Sequence, residues 1–305
     1  MSSKPLVSIL INNYNYGRFL GDAIDSALNQ SYPKIEVVVV DDGSNDNSSE
    51  VISSYNGQVI PILKGNGGQA SAFNVGFENC YGEIICFLDS DDVFKGNKIL
   101  EIISIFQENL DIGWCFHPLQ YIGCDTEEYA EIYTGKSGKY DLRKDMARGK
   151  LKGRLPFHGI ATSGLCFRRS LLEKMLPMPP EIHITSDDYL KYIAFGTSPG
   201  FVTLKTLSQQ RLHGNNAYTF RSNKLRLRAK VQVLTSYWMK KNFPFLFKFS
   251  NSTFALGVSL YWVAGGPDFE HKALIQEYLA TTNCAEKIEI YSRIAFYRLK
   301  WLAKI

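Results

Sequence analysis

Asp89-Ser90-Asp91-Asp92 places three carboxylates in four residues, directly behind the apolar run Ile84–Leu88. Such carboxylates repel one another unless a cation is present. Hard divalent ions suit them, and Mg2+ uses one or two carboxylates together with substrate phosphates. An ion held there would neutralise charge on a departing diphosphate. A solvated acidic turn is the plainer reading; the position behind an apolar run argues for the ion. Asp41-Asp42-Gly43-Ser44 follows the run Ile35–Val40 in the same way. A carboxylate there can accept from a base N–H or a ribose hydroxyl, or simply shape the turn. Gly65-Asn66-Gly67-Gly68-Gln69-Ala70 fits the loose G-x-G-x-x-A dinucleotide pattern and also reads as a loop whose backbone and Gln69 approach a nucleotide. Asp187-Asp188 opens a helix and offers a general base, although acidic first turns also complement the helix dipole. His213, within Arg211–Asn216, offers a third metal ligand or a donor to a diphosphate.

These residues need a scaffold that gathers them. Apolar runs at 6–11, 35–40, 59–63 and 84–88 read as buried strands, with helices at 19–28, 48–55, 70–79 and 99–106. Repeated βα units predict a doubly wound, largely parallel sheet, with ligands outside the carboxyl ends of its strands. Beyond 110 the pattern loosens. Strands are expected at 114–122, 161–167 and 201–207, short helices at 171–176 and 187–195, a loop-rich stretch at 123–160, and helix after 217.

The 305 residues are 45% hydrophobic, which excludes a disordered chain. Six cysteines without a CxxC pair exclude a zinc ribbon or disulfide framework and favour a reducing compartment. The run 6–11 is too short for a signal-peptide core, and Lys248, Asn251 and Ser252 interrupt the weakly polar stretch 243–266, so neither export nor a spanning helix is expected. The net charge of +4 conceals −8 over residues 1–110, +1 over 111–204 and +11 over 205–305. Arg221, Lys224, Arg226, Arg228 and Lys230 crowd ten residues, and 287–305 mixes bases with aromatic and aliphatic residues. That tail reads either as packed helix with a solvated charged face or as a peripheral contact with an anionic membrane.

Taken in order, Val7–Asn15, Ser26–Tyr32, Val40–Ser44, Asn66–Gly76 and Phe87–Asp92 resemble the family 2 inverting glycosyltransferases of the GT-A fold, over about residues 5–215. The resemblance implies an α/β fold of GT-A type, a doubly wound, mostly parallel sheet flanked by helices, here with a helical C-terminal extension. It implies a catalytic domain at 1–216, with a nucleotide-binding half (1–110) and an acceptor-binding half (111–216), followed by the basic extension 217–305. It implies transfer of a sugar from a nucleoside-diphosphate sugar, UDP favoured, to a glycan or lipid-linked hydroxyl by a single displacement. Mn2+ or Mg2+ would assist. The setting implied is cell-surface polysaccharide or glycolipid synthesis, in the cytoplasm or on the inner face of the membrane, with no nucleic-acid partner. By this resemblance Tyr14, beside Asn12, flanks the base. Asp42 accepts from the base, with Asp41 its less constant neighbour, and Gly68, Gln69 and Asn74 approach the nucleotide. Asp89 touches the ribose beside Ser90, and Asp91 holds the metal, with Asp89 and His213 as further ligands. Asp188 is the base, and Asp187 stands where the family has Glu. Phe73 replaces the Arg that often precedes the residue matching Asn74. The rival readings are an NAD(P)-binding oxidoreductase built on Gly65–Ala70 and a non-catalytic nucleotide-sugar or glycan-binding protein.

Overall fold

The computed structural model describes residues 4–123, 135–151, 160–214, 216 and 223–302. Much of the expected loop-rich stretch, and Asn215, Arg221 and Lys304 of the basic segments, lie outside them. The chain opens with β1 (Val7–Asn13), α1 (Gly17–Leu28), β2 (Ile35–Asp41), α2 (Ser48–Ser54), β3 (Ile60–Leu63), α3 (Gln69–Glu78) and β4 (Ile84–Asp89). The four strands are parallel in the order β3-β2-β1-β4. The chain builds outward from β1 to β3, then crosses to the other side of β1. That reversal opens a crevice at the carboxyl ends of β1 and β4. Register sets Asn12 opposite Asp89 and Asn13 opposite Asp41, so motifs far apart in sequence meet along one edge.

Both faces of this sheet are covered, which is why its strands read as unbroken apolar runs. Leu10, Val38, Val40, Ile85 and Phe87 join one core cluster with Ala70, Ala72 and Phe73 of α3. The alternate residues Ile9, Ile11, Val37, Val39 and Leu88 join the other with Leu20, Ala23, Ile24 and Ala27 of α1. Each such Val, Leu, Ile or Phe side chain contributes about 1.5–3 kcal/mol when fully buried.

The second half departs from the expected elements. It continues with β5 (Val93–Phe94), α4 (Lys98–Glu108), β6 (Trp114–Phe116), β7 (Leu119–Ile122), β8 (Gly138–Tyr140), α5 (Arg143–Ala147), β9 (Leu165–Arg168), α6 (Arg169–Leu172), α7 (Ser186–Thr197), β10 (Gly200–Val202) and β11 (Ser208–Arg211). The single strand expected at 114–122 is two, broken at His117-Pro118. β6 joins the main sheet and β7 a small sheet ordered β5-β11-β7. Proline supplies no N–H for a ladder, so the chain changes sheets there. The strand expected at 201–207 is only β10, and the small-sheet partner β11 begins at Ser208. At 161–167 a 3-10 turn over Thr162–Gly164 precedes β9, which runs antiparallel to both β4 and β6.

The tail is α8 (Lys224–Asn242), α9 (Phe247–Val263), α10 (Phe269–Ala280) and α11 (Cys284–Leu302). Met239, Leu246 and Phe249 pack into the core around α7. Val233, Phe254, Tyr261, Tyr278, Ile290 and Ile294 form a core of their own. No helix among the described residues is long and apolar enough to cross a membrane.

Candidate active site

The β2 end builds a rigid turn. Asp41 is buried and accepts from Asn13 Nδ2 at 2.7 Å, Ser44 N at 3.1 Å and Ser44 Oγ at 2.6 Å. Asp42 is buried too, and it pins the glycine loop, accepting from Gly67 N at 3.0 Å, Gly68 N at 2.7 Å and the Lys64 ammonium. Oδ1 carries two of these bonds and Oδ2 one, which leaves acceptor capacity on Oδ2. Tyr14 stands beside this turn and is 45% exposed, so its ring has a free face. Asn12 Oδ1 is buried without a hydrogen-bond partner among the described residues. Asn74 donates to Met178 O at 2.8 Å and accepts from Met178 N at 2.7 Å. It therefore fastens α3 to the segment leading into α7, with one N–H and one lone pair left over.

Gly68 has φ +82°, and a Cβ there would stand 2.6 Å from His183 Nδ1. Gly68→Ala is expected to destabilise the chain by about 1–3 kcal/mol. An unchanged denaturation midpoint would contradict that close approach.

The acidic turn divides its carboxylates. Asp92 is buried and accepts from Ser163 Oγ at 2.6 Å and Arg211 N at 3.1 Å, so it holds the turn in place. Asp91 reaches outward. Its Oδ2 lies 3.0 Å from His213 Nε2 and accepts from Asn216 Nδ2 at 3.2 Å. Ser90 is buried, with its N–H on Asn12 O at 3.2 Å. Lys98 opens α4 beneath the turn, fully buried. Its ammonium donates to Ser163 O at 2.7 Å and Ser208 Oγ at 3.2 Å, and Ser163 Oγ accepts from Asp89 N at 3.0 Å. Lys98 is thus joined to the acidic turn through Ser163, which also bonds Asp89 N and Asp92.

Asp91 and His213 supply oxygen and imidazole donors of the kind divalent ions take. Among the described residues no group of three His, Cys, Asp or Glu side chains converges as a ligand set. Two protein ligands plus phosphate oxygens and water remain a fitting set for Mg2+ or Mn2+. Burial, then the Asp91 charge, push the Asp89 carboxyl up to about 7. The folded chain therefore holds a proton there that the unfolded chain releases near pH 4; the stability this gives is full below about pH 4 and lost as pH rises through about 7. A cation competes with that proton. Mn2+ is accordingly expected to raise the melting temperature more at about pH 8 than at about pH 6. A larger rise at the lower pH would contradict this.

Asp187 and Asp188 sit in the first turn of α7, which Thr185 enters with φ 54°. Lys191, one turn on, lies 2.7 Å from Asp187 Oδ2 and 3.0 Å from Asp188 Oδ1, and donates to Ile160 O at 2.9 Å. The two carboxylates differ in exposure: 14% for the Asp187 side chain, 28% for Asp188. Burial pushes Asp187 up, against the pull of Lys191. Asp188 Oδ2 makes no hydrogen bond among the described residues and is the oxygen open to a proton. Gln69 links this helix to the acidic turn: its Oε1 accepts from Ser186 N at 3.0 Å and its Nε2 lies 3.4 Å from Asp89 Oδ1.

The structure gathers Asn12, Gln69, Ser90, Asp89, Asp91 and His213 around the crevice, with Asp187 and Asp188 joined to them through Gln69. Asp41 and Asn74 also brace the framework, Asp41 through Asn13 and Ser44 and Asn74 through Met178. Sequence reasoning missed Lys98, Ser163, Lys191 and Asn216 as parts of the site. Lys191 had a signal, its i+4 and i+3 spacing from the two carboxylates. Lys98 had only its awkward place at a helix start, where a cation opposes the dipole.

A sheet that reverses beside an acidic turn, with a second carboxylate pair brought up on a helix, is the arrangement of a GT-A glycosyltransferase. The chain belongs to glycosyltransferase family 2; the model described as glycosyl transferase family 2 matches residues 8–176. An uncharacterised glycosyltransferase of Nostoc sp. is 36% identical over 215 residues, 69% of this chain and 66% of that protein. One from Rickettsia prowazekii is 43% identical over 242 residues, 78% of this chain and 73% of that one. Among solved structures, Staphylococcus aureus TarS 1–349 in complex with UDP superposes with a TM-score of 0.58 at 17% identity, covering 97% of this chain and 92% of that one. The mannosyltransferase PcManGT from Pyrobaculum calidifontis, in complex with GDP-Man and Mn2+, gives 0.53 at 17% identity, covering 98% and 88%. Family membership sets aside the oxidoreductase reading of Gly65–Ala70.

Proposed function

We propose that the chain transfers a sugar from a nucleoside-diphosphate sugar, UDP in the first instance, to an acceptor hydroxyl with inversion at the anomeric carbon. The observation that carries this is the Gln69 bridge, which couples the donor-side acidic turn to the helix bearing Asp188. The UDP bound to TarS supports uridine, and the Mn2+ in PcManGT supports a divalent ion. Asp91 and His213 would hold that ion, which neutralises charge on the leaving diphosphate. Tyr14 covers the base, Asp42 Oδ2 accepts from it, and the Gly67–Gln69 backbone approaches the nucleotide. Asp188 Oδ2 takes the acceptor proton. Lys191 lies beside both carboxylates and, once that proton arrives, still has Asp187 and Ile160 O as partners. Titration of UDP with and without Mn2+ tests the donor assignment: binding that requires Mn2+ supports it, and no saturable binding overturns it.

The tail favours a membrane-side setting, on the inner leaflet. α11 buries Ile290, Ile294 and Tyr297 yet turns a second apolar stripe outward at Ile288, Tyr291, Phe296 and Leu299. Arg298 lies 4.0 Å over the exposed Trp262 ring beside it. A basic, aromatic and apolar face fits an anionic lipid surface, as synthesis of a lipid-linked or cell-surface glycan would need. The full chain is expected to float with anionic vesicles, and Ile288→Glu with Leu299→Glu to stay behind. These changes spare the buried face, so equal flotation would contradict the contact.

A further inference from the structure

A cavity of about 240 Å³ lies between the segment Glu181–Ile184 and the tail helices. The same segment faces the glycine loop: Gln69 N donates to His183 O at 3.1 Å, and His183 Nδ1 lies 3.3 Å from Gly67 O. One stretch of chain therefore separates the cavity from the donor side, and it leads within four residues from Ile184 to Asp188.

The cavity's polar groups are unevenly spent. Asp268 is engaged, accepting from His271 N at 3.0 Å and lying 4.0 Å from Arg226. Lys230 lines the cavity half-buried; it makes no hydrogen bond among the described residues, and its charge acts on Asp268 across the cavity lining. Tyr261 lines it too, 1% exposed, and its buried phenol oxygen has no partner among them. A buried hydroxyl left unpaired costs about 1–3 kcal/mol. Ile184, Leu227 and Val231 supply an apolar wall. The volume falls just short of the roughly 300–1,000 Å³ of small-ligand pockets, room for one sugar unit but not for a chain of them.

We propose that this cavity is an acceptor subsite for an anionic sugar, a single residue bearing a phosphate or a carboxylate, within the glycan that receives the transferred unit. Lys230 and the Tyr261 hydroxyl meet the anion, and the aliphatic wall meets the C–H face of the ring. The adjoining part of the glycan follows Ile184–Ser186 to Asp188. The role as acceptor subsite rests on the transferase reading above.

Calorimetric titration of the full chain with glucose 1-phosphate, glucuronate, glucose and inorganic phosphate tests it. At least one anionic sugar is expected to bind about five-fold or more tighter than glucose and phosphate. Tyr261→Phe removes an unpaired hydroxyl, so it keeps or raises the melting temperature while weakening that binding about five-fold. Lys230→Met weakens it about ten-fold, as loss of a charge-assisted bond does. Glucose or phosphate binding as tightly, no binding tighter than about 10 mM, or unchanged affinity in both variants would overturn the subsite. UDP with Mn2+ titrated into the same samples reads the donor site separately. UDP binding without anionic-sugar binding overturns the subsite and leaves the transferase reading standing. The reverse upholds the cavity and counts against the donor site.

Discussion

Asp188→Asn is expected to lower the rate of transfer by about 10³-fold, within the 10²–10⁴ range of a positioned general base, with nucleotide affinity unchanged. Asparagine keeps the shape and can still offer an oxygen to Lys191, which lies 3.0 Å from Asp188 Oδ1. It cannot take a proton, so the acceptor hydroxyl enters the displacement unactivated. The residues proposed to contact the nucleotide lie at the β1, β2 and β4 ends and are untouched. Steady-state rates beside UDP titration separate the two effects. A near-native rate would transfer the role to Asp187, the more buried of the pair.

Removing the cation has an effect of similar size. Excess EDTA, or Asp91→Ala, is expected to cut transfer by about 10²–10³-fold, since a Lewis acid on the leaving group supplies several kcal/mol and each 1.36 kcal/mol is ten-fold. Asp91 is the carboxylate to change. Asp92 is consumed by Ser163 and Arg211 N, and Asp89 is held beside Gln69. Asp91→Ala should weaken UDP binding in Mn2+ and leave it unaltered without the metal, which a general loss of structure would not do. Full activity in EDTA would remove Asp91 and His213 from the role.

The front of the chain was legible because its strands are buried on both faces. Ile35–Val40 and Ile84–Leu88 can be little else, and the turns behind them then fall at the sheet edge. The site followed from that edge: Asn12, Asp89 and Asp91 needed only the strand order to come together. What lay beyond reach was non-local. β6, β7, β10 and β11 span three or four residues each, and their pairing depends on distant partners: even the nearest, Phe116 and Leu165, lie 49 residues apart. No local pattern says that the chain changes sheets at His117-Pro118. Asn74 illustrates the same limit, since its partner Met178 is 104 residues away. Asp41 shows it too: its partner Asn13 lies 28 residues away in sequence.

The central claim is that this crevice performs an inverting transfer from a nucleotide sugar. Proton NMR of UDP-sugars incubated with the chain and Mn2+ addresses it without knowledge of the acceptor, because water can stand in for the acceptor. Slow release of UDP and sugar from one α-linked donor is expected, with the β anomer appearing first and the reaction lost in Asp188→Asn. First appearance of the α anomer, or release undiminished in that variant, would contradict it.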